Sequence, residues 1–590
     1  MLAYLSGVSR TTREERLNYP IWQIPASGLL IAFIAVVHVF VAHFAVGGGL
    51  FLALTEGKAR RENDPALLDY VRRHSRFFVL LSLVFGAVTG VGIWFTIGLV
   101  NPAATATLIN AFVWGWAIEW TFFGTEIVAA IVYLYGWDRL NPKQHMTVAW
   151  IYFTSAYLSL VVINGILSFM LTPGRWLATR EFWDGFFNPT YWPSLAVRTL
   201  GSIGLAGVYA LFTTSWITSD ELQKKVKRYA AIGWVLPVAI GLPFALAWFF
   251  HAAQHAGVPA AQTLGAASIS LRDLIASLGG AKTAGQPMAQ RALTVAFSAA
   301  AASIVLALLT LGIRQKALLR TLTAVILMAG LFAVGGAEWV REDLRKPFVI
   351  GSHMFVNGVR LPPPQGSIAA QRLSADAFQI DEIDRAGVLA STHWAPRLTE
   401  DTNAPPSVKH EIEVGRQVFV LTCSQCHTVN GYLAIRPLVA GKTSVALERT
   451  LDGLAVPRDA AGRPATWSTP GLTVATWRER RMPPFVGTAE EKHGLAVYLA
   501  SIGGGAIIEN AQTGVTGRAA FETHCSVCHG EGSGLPLDVR VAGKSEQEIY
   551  NMIGRLPQLN PAMPDFAGTE PERHALAAYL AKLGAAKGRG

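Results

Sequence analysis

The sequence predicts an all-α protein with a multi-pass transmembrane bundle of about eight helices, followed by two small helical domains. Three observations predict this fold class. The chain has 590 residues, of which 51% are hydrophobic and 15% are charged, whereas soluble proteins carry about 25% charged residues. Long stretches of the first 340 residues contain no charged side chain. A Cys-x-x-Cys-His motif then occurs twice and uses all four cysteines, which excludes a disulfide framework.

The helices of the bundle are predicted from the charge-free stretches, because a helix needs about 20 apolar residues to cross the hydrocarbon core of a bilayer. Three charged side chains interrupt the third and fifth spans: Glu119, Glu126 and Arg198. A charge at membrane depth is costly, so each of them is a candidate functional residue. The predicted spans are 27–54, 77–100, 111–137, 146–172, 193–217, 229–251, 291–313 and 321–340.

Basic residues mark alternate loops and predict the orientation. The loops 55–76, 218–228 and 312–320 are rich in lysine and arginine, whereas 101–110 has neither. Basic loops face the cytoplasm, so the chain after residue 340 is predicted to lie in the periplasm of a bacterium, outside its inner membrane. The first span is too long for a cleaved signal peptide and is expected to remain as an anchor in the lipid bilayer. Because most of the net charge of +10 lies in the apolar half, we expect no nucleic-acid partner.

The rest of the chain is divided by composition and repetition. Residues 341–408 contain proline clusters and no sustained apolar period, which predicts a linker after the transmembrane domain 1–340. Two predicted domains follow, at 409–503 and 511–586. Each contains a Cys-x-x-Cys-His motif, continues to a Met-Pro pair and closes with a helical segment.

The chemistry of these motifs indicates covalent heme, for which Cys-x-x-Cys-His is the attachment signature. Two thiols add to the heme vinyl groups, the adjacent histidine binds the iron, and a later methionine supplies the sixth ligand. Zinc and a redox dithiol are the alternatives, but zinc wants four ligands and a dithiol needs no histidine. This region resembles tandem class I cytochromes c, which implies two hemes c. The predicted residues are Cys423, Cys426, His427 and Met482 for the first heme, and Cys525, Cys528, His529 and Met563 for the second.

Polar side chains in the bundle form spaced pairs. His38 and His43 are five residues apart, so they do not share one helical face. Glu119 and Glu126 are seven apart and face the same way, about 10 Å from each other; an interhelical hydrogen bond is the alternative to a functional role. At the outer end of the eighth helix Glu338 precedes Glu342 by one turn. We expect Glu338 to be a solvated helix end.

Four stretches resemble subunit I of the cytochrome bd oxidases. One is His38 followed nine residues later by Gly47, and another is 85–90 in the second helix. The third runs from Ala117 to Leu140 and contains both glutamates, and the fourth is Glu342-Asp343-Leu344-Arg345-Lys346-Pro347-Phe348. Their order and their helix positions match that family over about residues 20–350.

The resemblance implies two closely spaced membrane hemes of the b or d type, or one of each, near the outer face. It makes His38 the ligand of one iron and Glu342 the ligand of the other. Glu119 and Glu126 would act beside this site in ligation or proton delivery. Arg345 would pair with a heme propionate or with Glu342. Subunits I of the family pair with a second membrane subunit, so a heteromer is expected.

Three features of the sequence depart from the family pattern, and they change the electron donor that we expect. Arg198 stands where a histidine would bind a third heme, and Leu293 stands where its partner methionine would lie. The quinol-binding loop is reduced to about 252–290. We therefore expect no quinol reaction, and the two hemes c replace the lost heme as a tethered entry for electrons from a periplasmic donor.

The predicted activity is that of a cytochrome bd-like terminal oxidase that reduces O₂, a small gas, at the membrane heme pair. One alternative is NO reduction at the same site. Another is a non-catalytic electron-transfer subunit of a larger respiratory complex, and a third is reversed flow with quinol as the donor. Among the other histidines, His251 and His255 are predicted to be interfacial, and His74 and His145 to be solvated near cytoplasmic loops.

Overall fold

The protein is described from a computed structural model that covers 27–258, 288–364, 366–372, 379–391, 408–431, 433–454, 482–507, 517–529, 537–560 and 563–587. These residues fall into two compact units. The membrane unit holds Gly28–Phe378, and the C-terminal unit holds Gln379–Gly462 and Pro484–Gly590. The sequence assignments to 259–287 lie outside the described residues.

All eight predicted spans are confirmed as helices long and apolar enough to cross a bilayer. The chain is therefore a multi-pass membrane protein. Several helices extend beyond the apolar core because capping side chains set their ends. Asp64 caps a helix that begins at Pro65, twelve residues before the predicted start, and Asn141 forms a capping box with Gln144.

The helices of the membrane unit are numbered in chain order. They are α1 Ser27–Arg61, α2 Pro65–Val79, α3 Ala87–Val100, α4 Pro102–Ala111, α5 Val113–Tyr135, α6 Pro142–Phe169, α7 Trp176–Thr179, α8 Phe182–Phe186, α9 Tyr191–Thr214, α10 Asp220–Ala230, α11 Leu236–His255, α12 Met288–Leu309, α13 Lys316–Arg345 and α14 Ile368–Arg372, with π-helical turns at Leu80–Gly86 and Ala231–Val235 and a 3₁₀ turn at Thr310–Gly312.

The three basic loops meet at one end of the bundle, which we call the basic end. Lys225 forms ion pairs with Glu62 and Asp64 across two of the loops. Lys227 donates hydrogen bonds to the carbonyl oxygens of Thr310 and Ile313 at 3.0 and 2.6 Å. This arrangement agrees with the loop charges that predicted a common side for these segments.

A short hairpin follows α13 at the other end, which we call the outer end. Strand β1 is Phe348–Ile350 and strand β2 is Met354–Phe355, paired antiparallel. The Gly351 amide donates a hydrogen bond to the Met170 carbonyl at 2.8 Å, and an added Cβ at Gly351 would lie 2.5 Å from the Leu171 oxygen. The first part of the predicted linker 341–408 is therefore folded, because its apolar residues pack against the bundle.

The C-terminal unit contains two small helical cores, each built around a crossing of its first and last helices. In the first core, Val418 and Leu495 are fully buried. In the second, Ala520 and Leu576 take the corresponding places and are 2% and 0% exposed. The helices are α15 Gln379–Ala386, α16 Val408–Thr422, α17 Arg436–Val439, α18 Ser444–Asp452, α19 Ala489–Gly503, α20 Gly517–His524, α21 Ser526–His529, α22 Leu537–Arg540, α23 Glu546–Ile553, α24 Leu556–Leu559 and α25 Glu570–Lys587.

A glycine lets the two helices of each core touch. An added Cβ at Gly415 would lie 1.9 Å from the backbone oxygen of Gly494, and one at Gly517 would lie 1.9 Å from that of Ala575. Four residues on in each first helix, a phenylalanine packs on a tyrosine. The ring pairs are Phe419 with Tyr498 at 5.6 Å and Phe521 with Tyr579 at 5.7 Å. The two cores thus repeat one packing scheme.

Candidate heme sites

His38 is held in the tautomer that suits an iron ligand. The Thr89 hydroxyl donates its proton to the Phe85 carbonyl at 2.8 Å, so at its 3.1 Å contact with His38 it accepts a proton from Nδ1. The Nε2 atom is then unprotonated and available to a metal. Gly90 permits this approach, because an added Cβ would lie 3.0 Å from the imidazole.

His43 lies on a different side of α1, as its spacing from His38 predicted. Its Nδ1 donates to the Val39 carbonyl at 2.7 Å, and its ring lies opposite Gly201 of α9, at 3.9 Å from the position of an added Cβ. Both histidines therefore present an unprotonated Nε2. Only His38 coincides with the sequence motif.

Glu119 and Glu126 both face α6. The Ser159 hydroxyl donates to Glu119 at 3.0 Å, and the Tyr152 hydroxyl donates to Glu126 at 2.9 Å. The shared face of the two carboxyl groups is as predicted. The interhelical hydrogen bonds considered as the alternative are present as well.

Glu338 is not a solvated helix end, and that expectation was wrong. Its side chain is 15% exposed and accepts from Arg341 Nε at 2.8 Å. Arg198 reaches it from α9 with a 3.4 Å contact. The arginine that replaces the expected heme-binding histidine thus neutralises an acid of α13, which is why the acid is buried.

Glu342 lies one turn further along α13 and pairs with two cations. Arg345 forms an ion pair with it, and Lys346 Nζ lies 2.9 Å from its other oxygen. The pairing of Arg345 with Glu342 is one of the two predicted for that arginine. Arg345 also donates to the Val349 carbonyl of the hairpin at 3.0 Å, so the hairpin fixes the guanidinium group.

The donors of this outer cluster fit the carboxylates of a heme. Three buried guanidinium nitrogens have no hydrogen-bond partner among the described residues: Arg198 Nε, Arg341 Nη1 and Arg345 Nε. A buried donor left unpaired costs about 1–3 kcal/mol, and heme propionates are acceptors of matching chemistry. Together with His38 Nε2 and the Glu342 carboxylate, the residues present fit a heme group.

The first Cys-x-x-Cys-His motif forms a tight turn at the end of α16. The Cys426 and His427 amides both donate to the Cys423 carbonyl, at 3.1 and 2.9 Å. His427 Nδ1 donates to the Leu433 carbonyl at 2.8 Å, which leaves Nε2 for iron.

The second motif begins with a similar pattern of backbone hydrogen bonds. The Cys525 amide donates to the Phe521 carbonyl and the His529 amide to the Cys525 carbonyl, each at 2.9 Å. The Cys528 side chain lies outside the described residues. Met563 is half-buried, whereas Met482 is 41% exposed. The two methionine ligands stay predictions.

The histidines expected to be solvated at the basic end are buried, so that prediction was wrong. His74 and His145 are each 1% exposed. His74 contacts the Thr213 hydroxyl at 2.9 Å, and His145 binds Glu56. Loop proximity misled the prediction because both rings turn into the bundle. No group of three or more His, Cys, Asp or Glu side chains placed to hold a metal ion occurs in the described part of the chain.

Known families account for parts of both units. Residues 27–263 match the family model of cytochrome bd terminal oxidase subunit I. The match contains His38, Glu119, Glu126 and Arg198 and ends before Glu342. Residues 512–580 match the model described as cytochrome c oxidase, cbb3-type, subunit III. That match contains the second Cys-x-x-Cys-His motif and Met563, which supports heme c binding there.

Among solved structures, the chain is similar to the bd oxidase from Geobacillus thermodenitrificans. The sequence identity is 17% and the TM-score is 0.40, over 55% of this chain and 86% of that chain. No curated protein matches the chain.

Two features of the site were missed from the sequence alone. The Thr89 contact with His38 was not foreseen, although Thr89 stands in one of the matching stretches. The pairing of Arg198 with Glu338 was missed because the two residues are far apart in sequence. The available signal was that an acid and a base of opposite charge both lie in predicted membrane spans, where a charged side chain needs a partner.

Proposed function

We propose that this chain is a membrane-bound respiratory heme oxidoreductase that reduces O₂ to water. Electrons from a periplasmic donor pass through two hemes c to a pair of membrane hemes. The observation that carries this proposal is the presence, on one polypeptide, of a region matching bd oxidase subunit I and a region matching a cbb3-type heme c subunit.

The membrane hemes would supply the iron at which the gas is reduced. His38, oriented by Thr89, would bind one iron, and Glu342 the other. Arg345 holds Glu342 and offers a free Nε–H to a propionate. Glu119 and Glu126 would deliver protons, because O₂ takes up four electrons and four protons to form two water molecules.

The first Cys-x-x-Cys-His domain is proposed to bind heme as the second does. In both domains a glycine lets the first and last helices touch, and a phenylalanine ring packs on a tyrosine ring. These shared contacts support a common fold for the two domains. The His427 hydrogen bond supports iron ligation in the first domain directly. With both hemes c present, the unit offers two successive carriers for electrons.

Quinol is not proposed as the donor. Arg198 stands where the resemblance expects a heme-binding histidine, and it forms an ion pair with Glu338. A second membrane subunit remains part of the proposal, since the bundle exposes large apolar side chains such as Trp114 and Phe244 that only lipid or another helix can cover.

The test is a heme count followed by gas uptake. Extraction and pyridine hemochrome spectra should give two hemes c and two extractable hemes per chain. Reduced membranes should show a high-spin band that shifts with CO. Purified protein should consume O₂ with reduced cytochrome c as donor and should not oxidise quinol.

Three other outcomes would redirect the proposal. Consumption of NO but not O₂ would assign NO reduction. A purely low-spin spectrum without CO binding would assign an electron-transfer subunit. Rapid quinol oxidation would reverse the proposed direction of electron flow.

A further inference from the structure

Three basic side chains from two separate connections meet at the outer end of the bundle. Arg180 follows α7 in the connection between α6 and α9. His353 lies in the turn of the hairpin after α13, and Arg360 forms a backbone bridge with Met354 of β2. We call Arg180, His353 and Arg360 the Arg180 cluster. It joins two segments that are far apart in the chain.

The buried indole of Trp176 places two members of the cluster. The guanidinium carbon of Arg180 lies 4.1 Å from the centroid of the indole ring, which is a cation–π contact. The His353 ring meets the same indole edge-on, with 5.0 Å between ring centroids. Arg180 takes this position with a backbone φ of 61°, in the left-handed region that residues other than glycine rarely adopt. The chain therefore keeps an uncommon backbone conformation at the residue that presents the guanidinium group.

The positive charge of Arg180 is not neutralised by the residues around it. Its side chain has one hydrogen-bond acceptor in the part of the chain that the structure describes, the Trp176 carbonyl at 3.3 Å. Burial and the charge of Arg360 lower the pKa of Arg180 to about 10. Burial and the charges of both arginines hold the pKa of His353 well below its ordinary value, and the buried Nδ1 atom of His353 has no hydrogen-bond partner among the described residues. The members of the cluster therefore repel one another.

The acid of α8 is directed to other partners. Asp184 accepts a hydrogen bond from the Thr179 hydroxyl at 2.7 Å and lies 3.8 Å from Arg175 Nε. Glu181, which directly follows Arg180, is exposed. A guanidinium group presents its N–H donors in a planar fork that matches the oxygens of a phosphate group. A phosphate-bearing anion would therefore complement the cluster in both charge and geometry.

A row of exposed aromatic rings follows Arg180 in the chain. Trp183, Phe187 and Trp192 are 63, 50 and 57% exposed. Trp183 stacks on Phe187 with 5.6 Å between ring centroids, and Phe187 stacks on Trp192 at 6.1 Å. Trp192 lies in the first turn of α9, so the row stands at the outer end of a span, where aromatic side chains mark the level of the lipid headgroups. The phosphate groups available at this level are those of the lipids.

We propose that the Arg180 cluster binds the phosphate group of one anionic phospholipid, such as phosphatidylglycerol, in the leaflet that borders the outer end of the bundle. Arg180 and Arg360 hold the phosphate oxygens, and the aromatic row packs along the glycerol and acyl part of the lipid. The bound lipid ties the connection between α6 and α9 to the hairpin after α13, because each segment supplies one arginine. This inference does not depend on the gas chemistry proposed above.

A non-specific belt of basic and aromatic residues is the competing explanation. In such a belt every arginine at this level attracts anionic lipid, and the loss of any one of them lowers binding to the same extent. Arg175 is the matched control, because it lies in the same connection, its side chain is 83% exposed, and its contact is with Asp184. Inorganic phosphate and a heme propionate are the other anions that could occupy the cluster.

The experiment measures lipid binding by the full-length protein as isolated. The protein is placed in phosphatidylcholine nanodiscs with or without phosphatidylglycerol. Retained lipids are counted by native mass spectrometry after release into detergent, and Tm is measured in the same nanodiscs. A separate arm adds inorganic phosphate to nanodiscs of phosphatidylcholine alone. The variants are Arg180→Gln, Arg180→Lys, Arg360→Gln, Glu181→Gln and the control Arg175→Gln, and the heme content of each shows whether it has folded.

We expect the wild type to retain one phosphatidylglycerol in preference to phosphatidylcholine and to gain Tm when phosphatidylglycerol is present. Arg180→Gln and Arg360→Gln should each weaken retention by about tenfold, as expected for the loss of a charge-assisted hydrogen bond, and should abolish the gain in Tm. Arg180→Lys should fall between them and the wild type, because lysine keeps the charge but not the planar fork. Arg175→Gln should match the wild type.

Four results would overturn the inference. Equal loss of lipid in Arg175→Gln and Arg180→Gln would assign a non-specific belt. A gain in Tm from inorganic phosphate equal to that from phosphatidylglycerol would assign a soluble anion. Loss of extractable heme in a folded Arg360→Gln would assign a heme propionate. Tighter lipid retention in Glu181→Gln would identify that carboxylate as the counter-ion of the cluster. If Arg180→Gln does not fold, Arg360→Gln decides, since the Arg360 side chain is exposed.

Discussion

At the scale of single residues, the candidate site depends on side chains whose partners fix their protonation state. Thr89 gives its proton to a backbone carbonyl and therefore accepts from His38. Leu433 does the same for His427 through its carbonyl oxygen. In both cases the hydrogen bond at Nδ1 leaves Nε2 as the ligand atom. Two unrelated parts of the chain thus have the same hydrogen-bond arrangement at a histidine that is predicted to bind iron.

Replacing Thr89 with valine should leave the His38 imidazole less firmly oriented, while His38 itself remains as the predicted iron ligand. The shape is preserved, but the Nδ1–H loses its acceptor, which costs about 1–3 kcal/mol for a buried donor. We expect a lower iron–histidine stretching frequency in resonance Raman spectra and partial loss of membrane heme. Thr107→Val is the control, because the Thr107 hydroxyl in α4 donates to the Ala103 carbonyl and not to a histidine. An unchanged spectrum in Thr89→Val would refute the contact.

Replacing Arg198 with leucine should destabilise the outer cluster, because Glu338 would keep only Arg341 as a partner. We expect a loss of about 1–3 kcal/mol, measured as a lower Tm in detergent. Adding Glu338→Gln should recover part of it, since the unpaired charge is then removed. Arg73→Leu breaks an exposed pair with Asp69 and should change Tm little. Equal effects of the two leucine variants would contradict a buried pair.

At the scale of elements, the hairpin after α13 connects the Glu342 segment to the rest of the outer end. Arg345 donates to Val349 in β1, and the Asn101 amide donates to the Val356 carbonyl just after β2 at 3.1 Å. The turn between the strands contains His353, which is buried against Trp176 at 5.0 Å between ring centroids. Its Nδ1 has no hydrogen-bond partner among the described residues.

This histidine should make stability depend on pH. Burial, together with Arg180 and Arg360, holds the pKa of His353 well below its ordinary value of 6.5. Below pH 6.5 the unfolded chain binds a proton at His353 that the folded chain does not bind. The contribution of this residue to the free energy of unfolding is therefore fully present above pH 6.5 and is lost as the pH falls below that value. We expect Tm to fall below pH 6.5 in the wild type and less steeply in His353→Gln. The exposed His574→Gln is the control, and a parallel pH dependence in His353→Gln would disprove the assignment.

At the scale of the whole molecule, charged residues distinguish the two ends of the membrane bundle. The basic loops meet at one end of the bundle through Lys225 and Lys227. The helix that carries Glu342 ends at the other. The C-terminal unit repeats one helical core, and Arg449 of the first core contacts both Glu572 and His524 of the second. His524 directly precedes Cys525 of the second Cys-x-x-Cys-His motif, so this contact links the two predicted heme c domains beside that motif.

The orientation can be tested by labelling with a membrane-impermeant maleimide. Glu413→Cys, in the C-terminal unit, should react in intact spheroplasts because its side chain is 39% exposed and that unit is predicted to be periplasmic. Arg73→Cys, at the basic end and 55% exposed, should react only after permeabilisation. Under the proposed function the native cysteines are thioethers and give no background. The reverse labelling pattern would invert the topology.

The sequence by itself determined the features that depend on local composition. Charge-free length fixed the eight spans, because crossing hydrocarbon requires an uninterrupted apolar helix. The Cys-x-x-Cys-His spacing predicted the heme c attachment points, because both thiols and the histidine must lie on one turn. Seven-residue spacing placed Glu119 and Glu126 on one face. Helix ends were displaced, since caps such as Asp64 follow side-chain hydrogen bonds and not hydropathy.

Only the tertiary structure decided which distant groups meet. The sequence predicted a solvated Glu338, whereas Arg198 of another helix lies beside it. His145 looked like a loop histidine, yet it is buried and forms a hydrogen bond with Glu56 inside the bundle. Burial of a charge depends on a partner that local sequence does not specify, because the Coulomb interaction acts through space across helices. The pairing of distant polar residues is therefore set by the tertiary structure. These pairs, and not the single residues, form the candidate sites.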